Sequence, residues 1–320
     1  MIFFRDIDKQ WKFSKVPKNF NSVYCDSLIR YFNALDPLFE KSQKISDFEF
    51  ITSLLNIEGC QDAGWIAFES TEKIFSFINK LKNKIKDSEE RLYLLLLLYG
   101  LIIEASLPYD LLANLLNIIL GDRYTILNFP DIKTRNSSRP QFPSEKINKL
   151  LELAKKANVL ESLTPLKEIF NKELRNAVFH SDYIIYKDEI RIPSINKVYK
   201  RTEIVNLINK TLAYFETVVK LRESYRLTYD GPKIIKVHPK FNDQNAKPVV
   251  MVREGTGAIG IRIDNAHFAT LYAYEKKLLD RDPMINLFPK SKIEMANKFI
   301  RFIPRPFKRY LIRYFEKRLN

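Results

Sequence analysis

The chain of 320 residues contains little glycine and cysteine, and both shortages narrow the classes of protein to which it can belong. Only eight glycines occur, while aromatic residues make up 13 % of the chain and Leu, Ile, Lys and Glu form long tracts. This composition favours a mainly helical protein. The length leaves room for two domains and for at least one sizeable hydrophobic core.

Cysteine and histidine are too sparse for a disulfide framework or a zinc site. Cys25 and Cys60 stand 35 positions apart, with no CxxC motif and no histidine companion. The three histidines, His180, His238 and His267, are widely separated, and neither of the last two has a carboxylate or cysteine at metal-ligand spacing. We therefore expect no metal and no cofactor, and two buried thiols in a reducing cytoplasm.

Long hydrophobic runs are also missing. The N-terminal segment meets charge too soon for a secretory signal, and the most apolar run, 92–103, is a dozen residues long where a membrane-spanning helix needs about 20. Apolar character resumes at 111–120, after Pro108. The pattern predicts a kinked helix or a helix pair at the centre of a bundle, with Gly121 as its C-terminal stop.

A short stretch that begins at Leu174 and ends at Tyr183 combines an arginine, an amide and a histidine, at positions Arg175, Asn176 and His180. Arginine can hold a phosphate through two parallel N–H bonds. Histidine can move a proton near neutral pH, because its ordinary pKa is about 6.5. Phosphodiester chemistry uses both kinds of group.

This stretch closes an apolar-periodic helix. Thr164 is typical of an N-cap, and Pro165 suits the first helical position. Apolar residues then recur at three- and four-residue steps, which predicts one helix that buries one side. These residues are Leu166, Ile169, Phe170, Leu174 and Ala177.

Helical geometry separates the arginine from the histidine. At about 100° per residue, Glu173, Asn176 and His180 lie within roughly one third of the circumference, whereas Arg175 lies about 140° from His180. Two arrangements would bring Arg175 and His180 to one site. Either the helix ends before His180, or both side chains meet partners from a second helix, such as its copy in a symmetric dimer.

The residues after the histidine predict a small hairpin and then a long helix. Two β-branched runs, 183–186 and 190–193, flank a polar turn at 187–189. A helix capped by Thr202 follows and continues to about Arg226.

The order arginine, asparagine, three further residues, histidine and then an aromatic resembles the signature of the HEPN superfamily (higher eukaryotes and prokaryotes nucleotide-binding domains). The resemblance implies a mainly α protein with a HEPN-like helical bundle, its core at about 69–226. It implies a metal-independent endoribonuclease of toxin or antiviral-effector type, with Arg and His at a dimer interface. Arg175 would stabilise the scissile phosphate, Asn176 would orient it, and His180 would be the general acid or base.

The same resemblance implies RNA as substrate, a homodimer, and an antitoxin or sensor protein as partner. An alternative reading is a non-catalytic HEPN-like module that binds a nucleotide or a protein. The residues alone also fit a purely structural interpretation, in which Arg175 is a surface cation and His180 is a hydrogen-bond donor at the C-terminal end of the helix.

Outside the motif, the sequence divides into three parts: 1–226 as the helical bundle, 227–289 as a small β-containing region, and 290–320 as a basic aromatic segment. Within the bundle, further helices are predicted near 27–35, 45–57, 70–86 and 145–160. The stretch 129–143 holds three prolines among polar and basic residues, which predicts a loop that is either mobile or in contact with RNA.

In the second part, 233–237 and 249–252 are predicted as strands, and Ile259, Ile261 and Ile263 alternate as in a half-buried strand. A GxGxxG pattern occupies 255–260. Because it leads into a strand pattern and not into a helix, it predicts a hairpin turn and no nucleotide site. The fold class expected for this end of the chain is a smaller α+β region.

The basic segment holds ten Lys or Arg against two Glu, so it carries +8 of the chain's net charge of +15. Alternating aromatics could stack on bases while cations meet phosphates. Docking of this segment on its own protein and contact with an anionic membrane remain open, the membrane less favoured because Pro304 and Pro306 interrupt a helix. The residues predicted to bind RNA are Tyr183, Arg301, Arg305, Lys308, Arg309 and Arg313.

Overall fold

The computed structural model divides the chain into two compact units, Met1–Arg226 and Leu227–Asn320. The described residues are mainly helical, which confirms the mainly α fold class. They comprise 2–5, 11–15, 21–55, 73–78, 80–81, 84–125, 127–133, 137–228, 231–234, 248–252 and 259–263.

The first unit contains eight α-helices with defined bounds, and its described residues 73–78 are α-helical as well. Side chains cap several of their starts: the Asn21 side chain accepts from the N–H of Tyr24 at 3.2 Å, and Asp87 accepts from Glu89 and Glu90 at 2.8 Å each. The helices are α1 (Ser22–Ile45), α2 (Asp47–Leu55), α3 (Ser88–Glu104), α4 (Ser106–Ile119), α5 (Pro143–Lys156), α6 (Thr164–Ile169), α7 (Lys172–His180) and α8 (Arg201–Leu227).

Short antiparallel strands accompany the helices. In the first unit, β1 (Ile2–Arg5) pairs with β2 (Trp11–Lys15), β3 (Ile132–Lys133) with β4 (Ser138–Arg139), and β5 (Ile184–Tyr186), β6 (Glu189–Ile192) and β7 (Lys197–Lys200) form a sheet in that order. In the second unit, β8 (Gly231–Ile234) and β10 (Ile259–Ile263) flank β9 (Pro248–Val252).

Helix α4 lies in the core and packs against α1, α2 and α5. Its apolar side chains are almost completely buried, as expected for a helix that is apolar on most of its circumference. Aromatic contacts join α1, α2 and α8: the Tyr225 ring stacks on Phe39 at 5.3 Å and meets Phe50 edge-on at 5.5 Å. The Tyr225 hydroxyl donates to the buried carboxylate of Asp36 at 2.6 Å.

Of the two arrangements predicted for the centre, a kinked helix or a helix pair, the structure has the pair, which breaks at Ala105, three residues before Pro108. The hydroxyl of Tyr109 donates to the carbonyl of Ile103 at 2.8 Å and so satisfies part of the end of α3. Gly121 follows α4 with a φ of 87°, a left-handed conformation that suits glycine at a helix end.

Helices α3 and α4 together, Ser88–Ile119, have the length and composition of a membrane-crossing helix. Half of the most apolar window of this stretch is buried inside the protein. A core helix of a globular protein meets the same criterion, so the observation by itself does not favour a membrane setting.

The predicted loop at 129–143 contains more structure than expected. Its described residues include the hairpin β3–β4, in which Ile132 pairs with Arg139, and the Gln141 side chain donates to the carbonyl of Pro130 at 2.9 Å. All three prolines lie outside these two short strands, so they leave the two ladder positions intact.

The glycine-rich pattern leads into a strand, as its sequence context indicated. Strands β9 and β10 pair antiparallel, with Val252 opposite Ile259. Several residues singled out in the sequence lie outside the described residues: Cys60, His238, His267, 253–258 and the whole basic segment with Arg301, Arg305, Lys308, Arg309 and Arg313.

Candidate functional site

The motif helix begins later than the sequence predicted. One helix from Thr164 to the motif was expected, and this expectation was wrong: Phe170 is extended, and α7 starts anew after Asn171. The Asn171 side chain accepts from the N–H of Leu174 at 2.9 Å, which caps the new helix.

A tyrosine from α3 stabilises this break. The hydroxyl of Tyr99 accepts from the N–H of Asn171 at 3.0 Å and lies 3.2 Å from the carbonyl of Ile169. Burial raises the pKa of the Tyr99 hydroxyl above its ordinary value, so it stays protonated and can donate. In a continuous helix, the N–H of Asn171 and the carbonyl of Ile169 would form hydrogen bonds within the helix. Here the hydroxyl of Tyr99, 72 positions before Asn171, forms hydrogen bonds with both groups.

The motif helix ends at His180 in a Schellman arrangement. Ser181 is left-handed, with a φ of 53°, and the N–H of Asp182 donates to the carbonyl of Ala177 at 2.9 Å. The helix therefore includes His180, and the alternative in which it ends before the histidine is wrong. Arg175 and His180 lie on different faces of one helix, about 140° apart.

Arg175 is held by two oxygen groups. Its Nε donates to Oε1 of Glu104, the last residue of α3, at 2.5 Å, and its Nη2 forms an ion pair with the same carboxylate. Its Nη1 donates to Oδ1 of the adjacent Asn176 at 2.9 Å. A guanidinium has five N–H donors, so two remain for a further ligand. The Arg175 side chain is only 17 % exposed, which restricts its motion.

Two aromatic rings lie against the same guanidinium. The centre of the Arg175 guanidinium lies 5.2 Å from the ring centroid of Phe179 and 5.8 Å from that of Phe142, within the range of cation–π attraction. Gly100 makes the first contact possible: a Cβ there would lie 3.0 Å from the Phe179 ring. Glycine at this position lets α3 and α7 approach closely.

Helices α3 and α7 run antiparallel along this contact. Glu104 meets Arg175, Gly100 meets Phe179, and Tyr93 meets Tyr183, with 6.0 Å between the last two ring centroids. Burial raises the pKa of the Tyr183 hydroxyl, and the neighbouring Tyr93 adds to the effect. Tyr183 therefore lies half-buried beside α3, near the histidine end of α7.

His180 is exposed at the end of α7. Several large apolar side chains are also exposed: Tyr93 and Leu97, one helical turn apart on α3, and Phe179 and Ile184 on either side of the histidine in sequence. Tyr93 and Phe179 both lie along the α3–α7 contact, and exposed apolar groups along one contact are typical of a face that meets another molecule.

The sequence predicted that Glu173, Asn176 and His180 lie on the same flank of the helix. In the structure, Glu173 contacts the neighbouring strand β7. It forms an ion pair with Lys197 and accepts from the hydroxyl of Tyr199 at 2.9 Å. The hydrogen bonds from Lys197 and Tyr199 lower the pKa of its carboxyl. These contacts tie the first turn of α7 to β7 and do not engage Arg175.

Asn176 and Arg175 are thus brought together, while His180 and Tyr183 occupy the opposite end of the α3–α7 contact. No protein-family model matches this chain, and neither the curated proteins nor the solved structures include a match. Among the described residues, no group of three or more His, Cys, Asp or Glu side chains is arranged to hold a metal ion.

Sequence reasoning missed Glu104, Phe142 and Phe179 as parts of the site. Glu104 carried a usable signal, because it is the first charge after the apolar run 92–103 and a carboxylate at the end of a buried helix needs a partner. Phe142 and Phe179 carried none, since an exposed aromatic residue is common on protein surfaces.

Proposed function

We propose that this protein is a metal-independent endoribonuclease of the HEPN type, with an active site assembled across a homodimer. The observation that carries the proposal is the guanidinium of Arg175, which Glu104 and Asn176 orient while two of its N–H donors remain for a phosphate. Such preorganised donors stabilise charge that develops on a phosphoryl oxygen in a transition state.

Glu104 shapes how Arg175 would recognise its ligand. The carboxylate offsets most of the positive charge of the guanidinium, so the pair attracts phosphate by directed hydrogen bonds more than by net charge. A phosphate in that position binds beside a neighbouring carboxylate, which favours a site to which another copy of the chain adds further hydrogen-bond donors.

His180 supplies the proton transfer in this proposal. Since α7 is helical through His180, one copy of the helix cannot direct Arg175 and His180 at the same phosphate. A symmetric dimer through the exposed apolar face of Tyr93, Leu97 and Phe179 would present His180 of one copy to Arg175 of the other.

The proposed reaction needs no external reactant. A base removes the proton of the RNA 2′-OH, the 2′ oxygen bonds to the adjacent phosphorus, and the bond from phosphorus to the 5′ oxygen breaks. An acid returns a proton to the leaving 5′ oxygen. The products are a 2′,3′-cyclic phosphate and a free 5′-OH, with His180 as base or acid and Arg175 on the phosphate.

The deciding experiment is incubation of purified protein with a mixed RNA pool in EDTA, followed by end-group analysis of the products. We expect cyclic-phosphate ends from wild type and a loss of about a hundredfold or more in rate for both His180→Ala and Arg175→Ala. Arg191→Ala is the matched control, because Arg191 is also a guanidinium paired with a glutamate, Glu189, at 3.0 Å.

An unchanged rate in both Arg175→Ala and His180→Ala would remove these residues from the chemistry. An equal loss in Arg191→Ala would mean that the assay reports general charge and not the site.

A second candidate is a non-catalytic module that binds a nucleotide. The observation that favours it is that one chain presents an oriented phosphate-binding guanidinium, whereas its His180 lies on a different face of the same helix. This module would bind nucleotides through Arg175 and would leave RNA intact. Nucleotide binding that depends on Arg175 but not on His180, without cleavage, would identify it.

A further inference from the structure

We propose that Phe142, stacked with Arg139, forms a nucleobase-binding subsite beside Arg175. The inference deepens the proposed function and rests on its RNA substrate, because it assigns the residue that receives a base next to the bound phosphate. Phe142 lies outside the motif and was not singled out by the sequence.

The geometry joins the aromatic ring to both guanidinium groups. The Phe142 ring centroid lies 4.4 Å from the guanidinium carbon of Arg139 and 5.8 Å from that of Arg175. The Phe142 ring therefore lies beside Arg175, the residue proposed to bind the phosphate, and it is covered in part by the planar guanidinium of Arg139. The Phe142 side chain is nevertheless 48 % exposed, so much of it is available for contact.

The ring is held in place by its backbone. Phe142 immediately precedes α5, with Pro143 at the first helical position, and its N–H donates to Oε2 of Glu145 at 2.7 Å. The hairpin β3–β4 ends three residues earlier, at Arg139. An exposed ring on a fixed backbone loses little conformational entropy when a ligand stacks on it.

Arg139 contributes the flat face of its guanidinium to the subsite, but little net charge. Glu145 accepts two parallel hydrogen bonds from its guanidinium, at 2.9 and 2.8 Å. The flat guanidinium is thereby fixed over the ring, and the Glu145 carboxylate offsets its charge. Its plane and the phenyl ring together suit the face of a nucleobase.

Single-stranded RNA matches this combination of groups. A phosphate on Arg175 leaves the base of a neighbouring nucleotide close to Phe142, where base–aromatic stacking does not depend strongly on base identity. A membrane surface does not match it as well, because a headgroup phosphate brings no nucleobase to stack on the Phe142 ring.

The test separates stacking from phosphate contact. The probe is a fluorescent 2′-O-methyl RNA of about twelve nucleotides, which cannot be cleaved, and binding is measured by anisotropy at several salt concentrations. Phe142→Ala should weaken binding about five- to a hundredfold without changing the salt slope. Phe142→Trp should keep affinity, whereas Arg175→Ala should reduce the slope by about one phosphate contact.

Two controls accompany this test. Tyr186 is also an exposed aromatic residue, and its ring centroid lies 4.8 Å from the guanidinium carbon of Arg191, an arginine paired with a glutamate. Tyr186→Ala should leave the affinity for RNA unchanged. A probe of equal length with abasic sites should bind wild type and Phe142→Ala equally, because no base remains to stack.

The outcomes distinguish this inference from the proposed nuclease. Weaker binding by Phe142→Ala to the probe with bases but not to the abasic one supports the subsite, even if the protein cuts no RNA. Cleavage that depends on Arg175 and His180 with unchanged affinity in Phe142→Ala overturns the subsite and leaves the nuclease standing. No binding of either probe by wild type overturns both.

Discussion

The carboxylate of Glu145 binds two groups at once, the guanidinium of Arg139 and the backbone N–H of Phe142. The hydrogen bonds from Arg139, and then that from Phe142, lower the pKa of Glu145 from its ordinary 4.5 to about 2. One ionised side chain therefore fixes both the aromatic ring and the cation stacked on it.

This pKa predicts a pH dependence of stability. A carboxyl whose pKa is lowered in the folded state stabilises the protein above the pKa of the unfolded chain, and that contribution disappears as pH falls from about 4.5 to about 2. Wild type should therefore lose more stability than Glu145→Gln between pH 5 and pH 2.5, as measured by urea unfolding.

Glu152→Gln is the control for this prediction. Glu152 is exposed and has a single ion-pair partner, Lys156, at 2.9 Å, so its replacement should change the pH dependence less. An identical pH dependence for wild type and Glu145→Gln would contradict the assigned role of the Glu145 carboxylate.

At the scale of the element, α7 depends on its own N-cap. Asn171 accepts from the N–H of Leu174 at 2.9 Å and donates through Nδ2 to the hydroxyl of Tyr199 at 3.2 Å. Asn171→Ala should lower the free energy of unfolding by about 1 kcal/mol, the usual loss for a capping side chain. Urea denaturation measures the loss.

Asn171→Asp is the matched variant, because aspartate keeps the accepting oxygen and adds a favourable negative charge at a helix start. It should retain most of the stability that Asn171→Ala loses. If both variants were equally destabilised, the contact with Tyr199 and not the cap would account for the effect.

Local patterns predicted several elements with close boundaries. The hairpin of β5 and β6 occurs where two β-branched runs flank a polar turn, and α8 spans Arg201–Leu227 where a helix from Thr202 to about Arg226 was expected. The third strand, β7, was missed, because its partner β6 and not its own composition selects the extended conformation.

At the scale of the whole molecule, the proposed site is shared between two copies of the chain. Arg175→Ala and His180→Ala should each be inactive alone. After subunit exchange at equal amounts, about one quarter of wild-type cleavage should return, because half of the dimers are mixed and each has one intact site. Sedimentation should detect the dimer.

Mixing two copies of the same variant is the control and should restore nothing. Activity that stayed absent in mixtures of the two variants, while sedimentation detected mixed dimers, would mean that Arg175 and His180 act within one chain. Such a result would require α7 to unwind before His180 when RNA binds.

The sequence by itself determined the mainly helical class, the apolar helical centre, the hairpin after the motif and the long α8, because periodicity, caps and turns act over a few neighbouring residues. Only the tertiary structure decided where the motif helix begins and what surrounds Arg175. Tyr99 ends one helix and supports the next, and Glu104, Phe142 and Phe179 enclose the guanidinium. Most of these contacts join residues tens of positions apart, so no local spacing could specify them.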